Sequence, residues 1–156
     1  MIETVPILVT VNGTRHVLDV EPRMHAADLL RGMLGLTGTH VGCEQGVCGM
    51  CTILLDGTAV KGCLLLAPQL DGCEVETVEG LATGEELAPL QRAFKEAHAL
   101  QCGFCTPGFL MAATALERSG RRLTREEIRE ELSGVLCRCT GYEGIVRAVE
   151  RRLTGG

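Results

Sequence analysis

The stretch Gly42-Cys43-Glu44-Gln45-Gly46-Val47-Cys48-Gly49-Met50-Cys51 decides how this chain is read. Its three cysteines are spaced C-x4-C-x2-C, and Cys63 follows after eleven residues. Four thiolates at that spacing are the plant-type arrangement for a [2Fe–2S] cluster. Three of the eight residues from Gly42 to Gly49 are glycine. Glycine suits such a loop, because bridging sulfides leave little room for Cβ atoms and backbone N–H groups must turn toward sulfur. A tetrahedral four-thiolate zinc site is the competing reading. Zinc usually takes two short C-x2-4-C knuckles.

A second set lies in the other half of the chain. Cys102, Cys105, Cys137 and Cys139 are spaced C-x2-C, thirty-one residues, C-x-C. Neither set contains two short knuckles, but the spacing of the second leaves zinc and [2Fe–2S] both open. The C-x2-C-x2-C-x3-C-P run of bacterial [4Fe–4S] sites is absent. Cys73 is the ninth cysteine, and it reads as a small buried hydrophobe at the start of a strand. An odd cysteine count, with no basic segment at Met1-Ile2-Glu3-Thr4, points to thiol chemistry in a reducing compartment rather than to disulfides.

Composition excludes several classes. The chain has 156 residues, 46% hydrophobic and 22% charged, with a net charge of -5. Only 15 residues are Lys or Arg, so there is no electrostatic footprint for nucleic acid. The longest apolar run, Leu64–Ala67, stops at Pro68 and is far too short for a transmembrane segment. The chain has no Trp, one Tyr and three Phe, so its core must be aliphatic. His16, His25, His40 and His98 show no ligand spacing. No paired carboxylates, nucleophile elbow, Walker loop or dinucleotide fingerprint occurs, and no catalytic residue is expected.

The first half alternates strand signals with turns. Ile7–Val11 and His16–Val20 flank Asn12-Gly13, and Thr52–Leu55 and Thr58–Val60 flank Asp56-Gly57; both predict hairpins. Ala26–Leu34 predicts a helix with Leu29, Leu30, Met33 and Leu34 on one face. Gly35–Met50 predicts loop, and Glu74–Val78 a fifth strand. From Glu85 onward every pattern is helical: Leu87–Leu100, then a helix opened by Thr106-Pro107 and ending near Ser119-Gly120. A third follows the Thr124/Glu127 capping box, and the last is Tyr142–Leu153. The expected organisation is α+β, with one domain over 1–78, a linker over 79–85 and a helical domain over 86–156. Halves of that size are marginal alone, and a metal centre in each would staple it.

Two further strings flank the second cysteine set: Gln101-Cys102-Gly103-Phe104-Cys105-Thr106-Pro107-Gly108 and Leu136-Cys137-Arg138-Cys139-Thr140-Gly141-Tyr142. With the Gly42–Cys51 loop, they resemble the iron–sulfur small subunit of molybdenum hydroxylases, the xanthine oxidase / aerobic carbon monoxide dehydrogenase family. The resemblance runs from about residue 3 to 152. It implies a plant ferredoxin-like β-grasp domain followed by an all-α four-helix [2Fe–2S] domain. It also implies two [2Fe–2S] clusters. One, on Cys43, Cys48, Cys51 and Cys63, lies nearer FAD; the other, on Cys102, Cys105, Cys137 and Cys139, lies nearer the molybdenum cofactor. Gln101 and Cys139 match the positions that meet the pterin edge. Met50, Phe109-Leu110 and Val135 depart from the usual Ala, Met-Ile and Asn; none removes a ligand, but Met50 and Val135 bear on cluster packing.

The same resemblance implies partners. These are a large subunit holding molybdopterin, as the cytosine dinucleotide, and a medium subunit holding FAD, or a cytochrome-type acceptor in its place. The end at Gly156 suggests the separate-subunit form, in a dimer of heterotrimers. The implied activity is oxidoreductase: an electron relay during oxidative hydroxylation of an N-heterocycle, an aldehyde or carbon monoxide. The implied location is the cytoplasm, including the inner face of the membrane. A free-standing two-cluster ferredoxin and a zinc-stapled interaction module are the alternatives.

Overall fold

The structure, a computed structural model, describes residues 3–155. Met1, Ile2 and Gly156, which the expected outer boundaries include, lie outside the described residues. Strands β1 (Val5–Val11) and β2 (Thr14–Val20) form an antiparallel hairpin with Val11 opposite Thr14. Asn12 and Gly13 both take positive φ, +49° and +78°, as a two-residue turn between twisted strands requires. Asp56 and Gly57 do the same between β3 (Thr52–Leu55) and β4 (Thr58–Lys61). Strand β5 (Glu74–Glu76) pairs parallel to β1 and antiparallel to β3, and the sheet order is β2-β1-β5-β3-β4. Ile7, Val9, Val11, Ile53 and Val75 on the sheet close over Leu29, Leu30 and Leu70 to make the first core.

Two expectations for this half need correction. The segment read as one helix over Ala26–Leu34 begins as α1 (Ala26–Asp28) but widens into a π-turn over Leu29–Met33. Leu34 N–H reaches back five residues to Leu29 O at 3.2 Å. Widening changes the angle per residue, so Leu29 and Leu30 stay buried while Met33 is turned out to 41% exposure. Strand β5 also stops two residues short of Val78. The Asn12 side chain takes the Thr77 backbone N–H on Oδ1 at 2.9 Å and donates to Thr77 Oγ1 at 2.9 Å. Val78 then starts a 3-10 turn.

The second half contains α2 (Pro89–Glu96), α3 (Thr106–Arg118), α4 (Arg125–Leu132) and α5 (Glu143–Leu153). Leu90, Phe94, Phe109, Ile128, Ile145 and Val149 meet in a second core. The first of these helices is shorter than the predicted Leu87–Leu100. Pro89 starts it, and it ends before His98, whose φ is +51°. Thr124 and Glu127 form the expected capping box of α4.

The two halves meet through backbone. A Cβ at Gly108, on α3, would lie 2.5 Å from Gly49 O; a Cβ at Gly49 would lie 2.3 Å from Gly134 O and 2.8 Å from Val135 Cα. Gly49 also has φ +71°, so both its conformation and its surroundings require glycine. Leu136 N–H donates to Cys48 O at 2.9 Å across this seam. At its far end, Arg118 on α3 grips both carboxylate oxygens of Glu76 on β5. That guanidinium holds the Glu76 carboxyl below the usual carboxylate range.

Gly108→Ala removes stability of about 2 kcal/mol, although alanine favours a helix by about 1 kcal/mol. Urea unfolding beside Gly32→Ala, where a Cβ meets open space, should show loss in the first and none in the second. The Glu76–Arg118 pair is partly exposed and worth about 1 kcal/mol. A depressed carboxyl pKa stabilises above the unfolded value of about 4.3 and loses that contribution as pH falls through the folded value. The melting-temperature gap between wild type and Glu76→Gln is therefore full at neutral pH and shrinks below about pH 4.

Candidate metal centres

The structure brings each predicted set of four cysteines together. Cys43, Cys48 and Cys51 sit on the loop before β3, and Cys63 on the 3-10 turn Gly62–Leu64 after β4. Within this set Cys48 N–H donates to Cys43 Sγ at 3.3 Å and Cys63 N–H to Cys51 Sγ at 3.4 Å. Lys61 Nζ closes the loop on Gly46 O at 2.6 Å, and Thr52 Oγ1 on Gly49 O at 2.7 Å. A Cβ at Gly42 would lie 3.2 Å from Cys48 Sγ. The space inside the loop is therefore kept for sulfur and the backbone around it.

Cys102 lies in the turn before α3, Cys105 at the start of that helix, and Cys137 and Cys139 in the loop between α4 and α5. Cys102 Sγ and Cys139 Sγ are 3.6 Å apart. All four cysteines line a cavity of about 130 Å³, with Met50, Phe104, Leu136 and Arg138. Met50 comes from the first set's loop, so the two sets share a wall. His40 stacks on Phe104 with ring centroids 4.6 Å apart, and its Nδ1 meets Phe104 O at 2.7 Å. Gln101 and Cys139, the expected pterin-side residues, are also brought together: Gln101 Nε2 donates to Cys139 O at 3.1 Å.

Each set joins thiols of opposite character. Backbone N–H groups of Cys48 and Gln45 draw Cys43 down to about 6, whereas burial pushes Cys51 up to about 11. In the second set burial pushes Cys105 up to about 12. Burial also acts upward on Cys137, but the Thr140 hydroxyl and the N–H groups of Cys139 and Thr140 outweigh it and bring Cys137 down. Cys139 is raised by its contact with Cys102. Metals bind thiolates, so the low members offer a ready anion and the buried ones must release a proton on binding.

The comparisons with known proteins agree with this geometry. Residues 9–103 match the 2Fe-2S iron-sulfur cluster binding domain, and residues 77–150 the [2Fe-2S] binding domain. The chain is 57% identical to the nicotine 6-hydroxylase small subunit of Paenarthrobacter nicotinovorans, over 94% of this chain and 88% of that one. It is 47% identical to the xanthine dehydrogenase iron-sulfur-binding subunit of Escherichia coli O157:H7, over 94% and 93%. The chain belongs to the small iron–sulfur subunits of the molybdenum hydroxylases. The crystal structure of quinoline 2-oxidoreductase from Pseudomonas putida 86 superposes with a TM-score of 0.91 at 53% identity, covering 98% of this chain and 95% of that one. This small subunit thus has the two-domain α+β fold, ferredoxin-like then helical, and is part of an oxidoreductase complex.

The residues present fit iron–sulfur groups. Every member of each set is a thiol, the first loop turns N–H groups onto sulfur, and the second set bounds an apolar cavity. Thr106 Oγ1, next in the chain to Cys105, is buried without a hydrogen-bond partner. His25, Asp28 and Glu44 also converge, but His25 Nδ1 accepts the Asp28 N–H at 3.1 Å as a helix cap. Its Nε2 must then carry the proton toward the two carboxylates. The strings around the second set contain Phe104, Leu136 and Tyr142 but assigned them no role, and His40, which stacks on Phe104, lay outside them.

Cys73 stands apart, half-buried, with its thiol against Gln69 O at 3.6 Å and Asp71 O at 3.8 Å. Burial and the nearby Asp56 carboxylate push its pKa up, so it stays a thiol. Cys73→Ala should leave iron content and the visible spectrum of the purified subunit unchanged. Loss of iron would mean that the eight-plus-one division of the cysteines is wrong.

Proposed function

We propose that this subunit relays electrons in a heteromeric molybdenum hydroxylase. It takes them from molybdopterin on a large subunit, in the cytosine dinucleotide form, and passes them to FAD on a medium subunit. Cys102, Cys105, Cys137 and Cys139 hold the cluster on the molybdenum side; Cys43, Cys48, Cys51 and Cys63 hold the one on the flavin side. These [2Fe–2S] groups supply one-electron carriers.

The observation that carries the reading is the seam between the sets. Leu136 N–H donates to Cys48 O, and Leu136 precedes Cys137, so one hydrogen bond ties a ligand residue of the first set to the neighbour of a ligand in the second. Gly49 and Gly108 allow the approach that makes this bond. Cys102 and Cys139 are exposed, with Gln101 bonded to Cys139 O and the apolar side chains of Leu100, Phe104 and Leu136 also exposed. That face is where Gln101 and Cys139 meet the pterin and the large subunit excludes water. The complex contains two copies of each subunit and works in the cytoplasm.

The complex acts on an N-heterocycle by oxidative hydroxylation. Support comes from the names of similar proteins, which include nicotine 6-hydroxylase, caffeine dehydrogenase and quinoline 2-oxidoreductase, at 57%, 50% and 53% identity.

Low-temperature EPR of the dithionite-reduced subunit, with spins counted per chain, tests the relay. Two distinct rhombic S = ½ signals totalling about two spins are expected. Cys139→Ser should alter the molybdenum-side signal and spare the other. A colourless, EPR-silent protein containing zinc would overturn the reading.

A further inference from the structure

Thr140 is placed where its hydroxyl has one acceptor for its proton. Thr140 Oγ1 lies 3.1 Å from Cys137 Sγ, and Thr140 N–H also donates to that sulfur at 3.4 Å. From the other side Tyr142 N–H donates to Thr140 Oγ1 at 3.1 Å. A hydroxyl has one proton and two lone pairs. The amide of Tyr142 occupies the lone-pair side, so the proton is directed at Cys137 Sγ. A metal-bound thiolate has no proton to give, which leaves Thr140 as the donor.

Tyr142 is itself held for this purpose. Its φ is +67°, a left-handed conformation costly for a residue with a side chain. Its hydroxyl accepts the Cys137 N–H at 2.9 Å, and its ring stands edge-on to Phe109 with centroids 6.2 Å apart. The Cys137 amide is thereby taken up by oxygen. Thr140 then supplies two hydrogen bonds to the sulfur, its hydroxyl and its amide, beside the Cys139 amide that also acts on it.

We infer that Thr140 is a positioning residue for the molybdenum-side centre: its hydroxyl, aimed by the Tyr142 amide, hydrogen-bonds Cys137 Sγ and raises the reduction potential of the cluster held there. The inference rests on the assignment of Cys137 as a ligand. One-electron reduction makes and breaks no covalent bond; it adds negative charge to the iron–sulfur unit. A donor at a ligand sulfur favours the more negative state. The flavin-side set has no equivalent hydroxyl at sulfur among the described residues; its sulfurs meet backbone amides, those of Cys48 and Gln45 at Cys43 and that of Cys63 at Cys51.

EPR-monitored redox titration of the loaded full chain tests this, reading both signals in each variant. Thr140→Val keeps the branched shape and the amide donor but removes the hydroxyl. It should lower the equilibrium constant for reducing the molybdenum-side centre about tenfold, equivalent to about 59 mV for one electron, with the other centre unmoved. Thr140→Ser restores the hydroxyl and should restore the potential. Thr140→Ala decides the matter if the valine variant does not load. Two intact signals with no shift in the valine or alanine variant would overturn the inference, as would a serine variant displaced as far as valine. Absence of the second signal in wild type would instead overturn the ligand assignment itself.

Discussion

The contact on which the rest depends is the approach of three backbone segments at Gly49, Gly108 and Gly134. A single added Cβ at Gly49 or Gly108 would come within 2.5 Å of a carbonyl oxygen in the facing segment. Such an approach cannot be bridged by side chains, since there is no space for them. It fixes the loop carrying Cys43, Cys48 and Cys51 against the first turn of α3 and against the loop that leads to Cys137. Neither loop has regular hydrogen bonding of its own. Each is held against the other. The core of either half is small, so this mutual support matters more than it would in a larger domain.

The fold was legible where the signal was local. Asn12-Gly13 and Asp56-Gly57 announced their hairpins, and Thr124 with Glu127 announced α4. In the second half Thr106-Pro107 marked the start of α3, and Ile145 and Val149, four residues apart, share a face of α5. Errors arose where something distant reached in. β5 ends early because Asn12, 65 residues away in the chain, claims the Thr77 amide. The segment Leu29–Met33 is widened, and Arg31 spans from it to Thr37 O and Thr39 O at 2.8 Å each. No periodicity argument contains such partners.

The candidate site divides the same way. The two sets of four cysteines were legible as sets because their spacing is written along the chain. Their second layer was not. Val135 drew notice only as a departure from a family pattern, yet it packs against Gly49, where no other residue fits. Met50, noticed for the same reason, lines the cavity of the opposite set. Both departures therefore fall on the seam, where a change on one side must fit the surface it meets. His40 offered no ligand spacing along the chain, and its place beside the second site was hidden for a similar cause: its stacking partner Phe104 lies 64 residues on.

Exposure sets the two cysteine groups apart. In the first set Cys51 is buried and the other three are half-buried; in the second Cys102 and Cys139 are exposed. Desolvation and hydrogen bonding to sulfur are among the means by which a protein sets the potential of an iron–sulfur centre. The first set draws on burial and backbone amides within one loop, so its environment is nearly complete in this chain alone. The second draws on Thr140 at Cys137 and leaves Cys102 and Cys139 exposed, so burial within this chain does less for it. In the relay proposed above, one centre would be tuned by the fold of this chain and the other by the surface that covers Cys102 and Cys139.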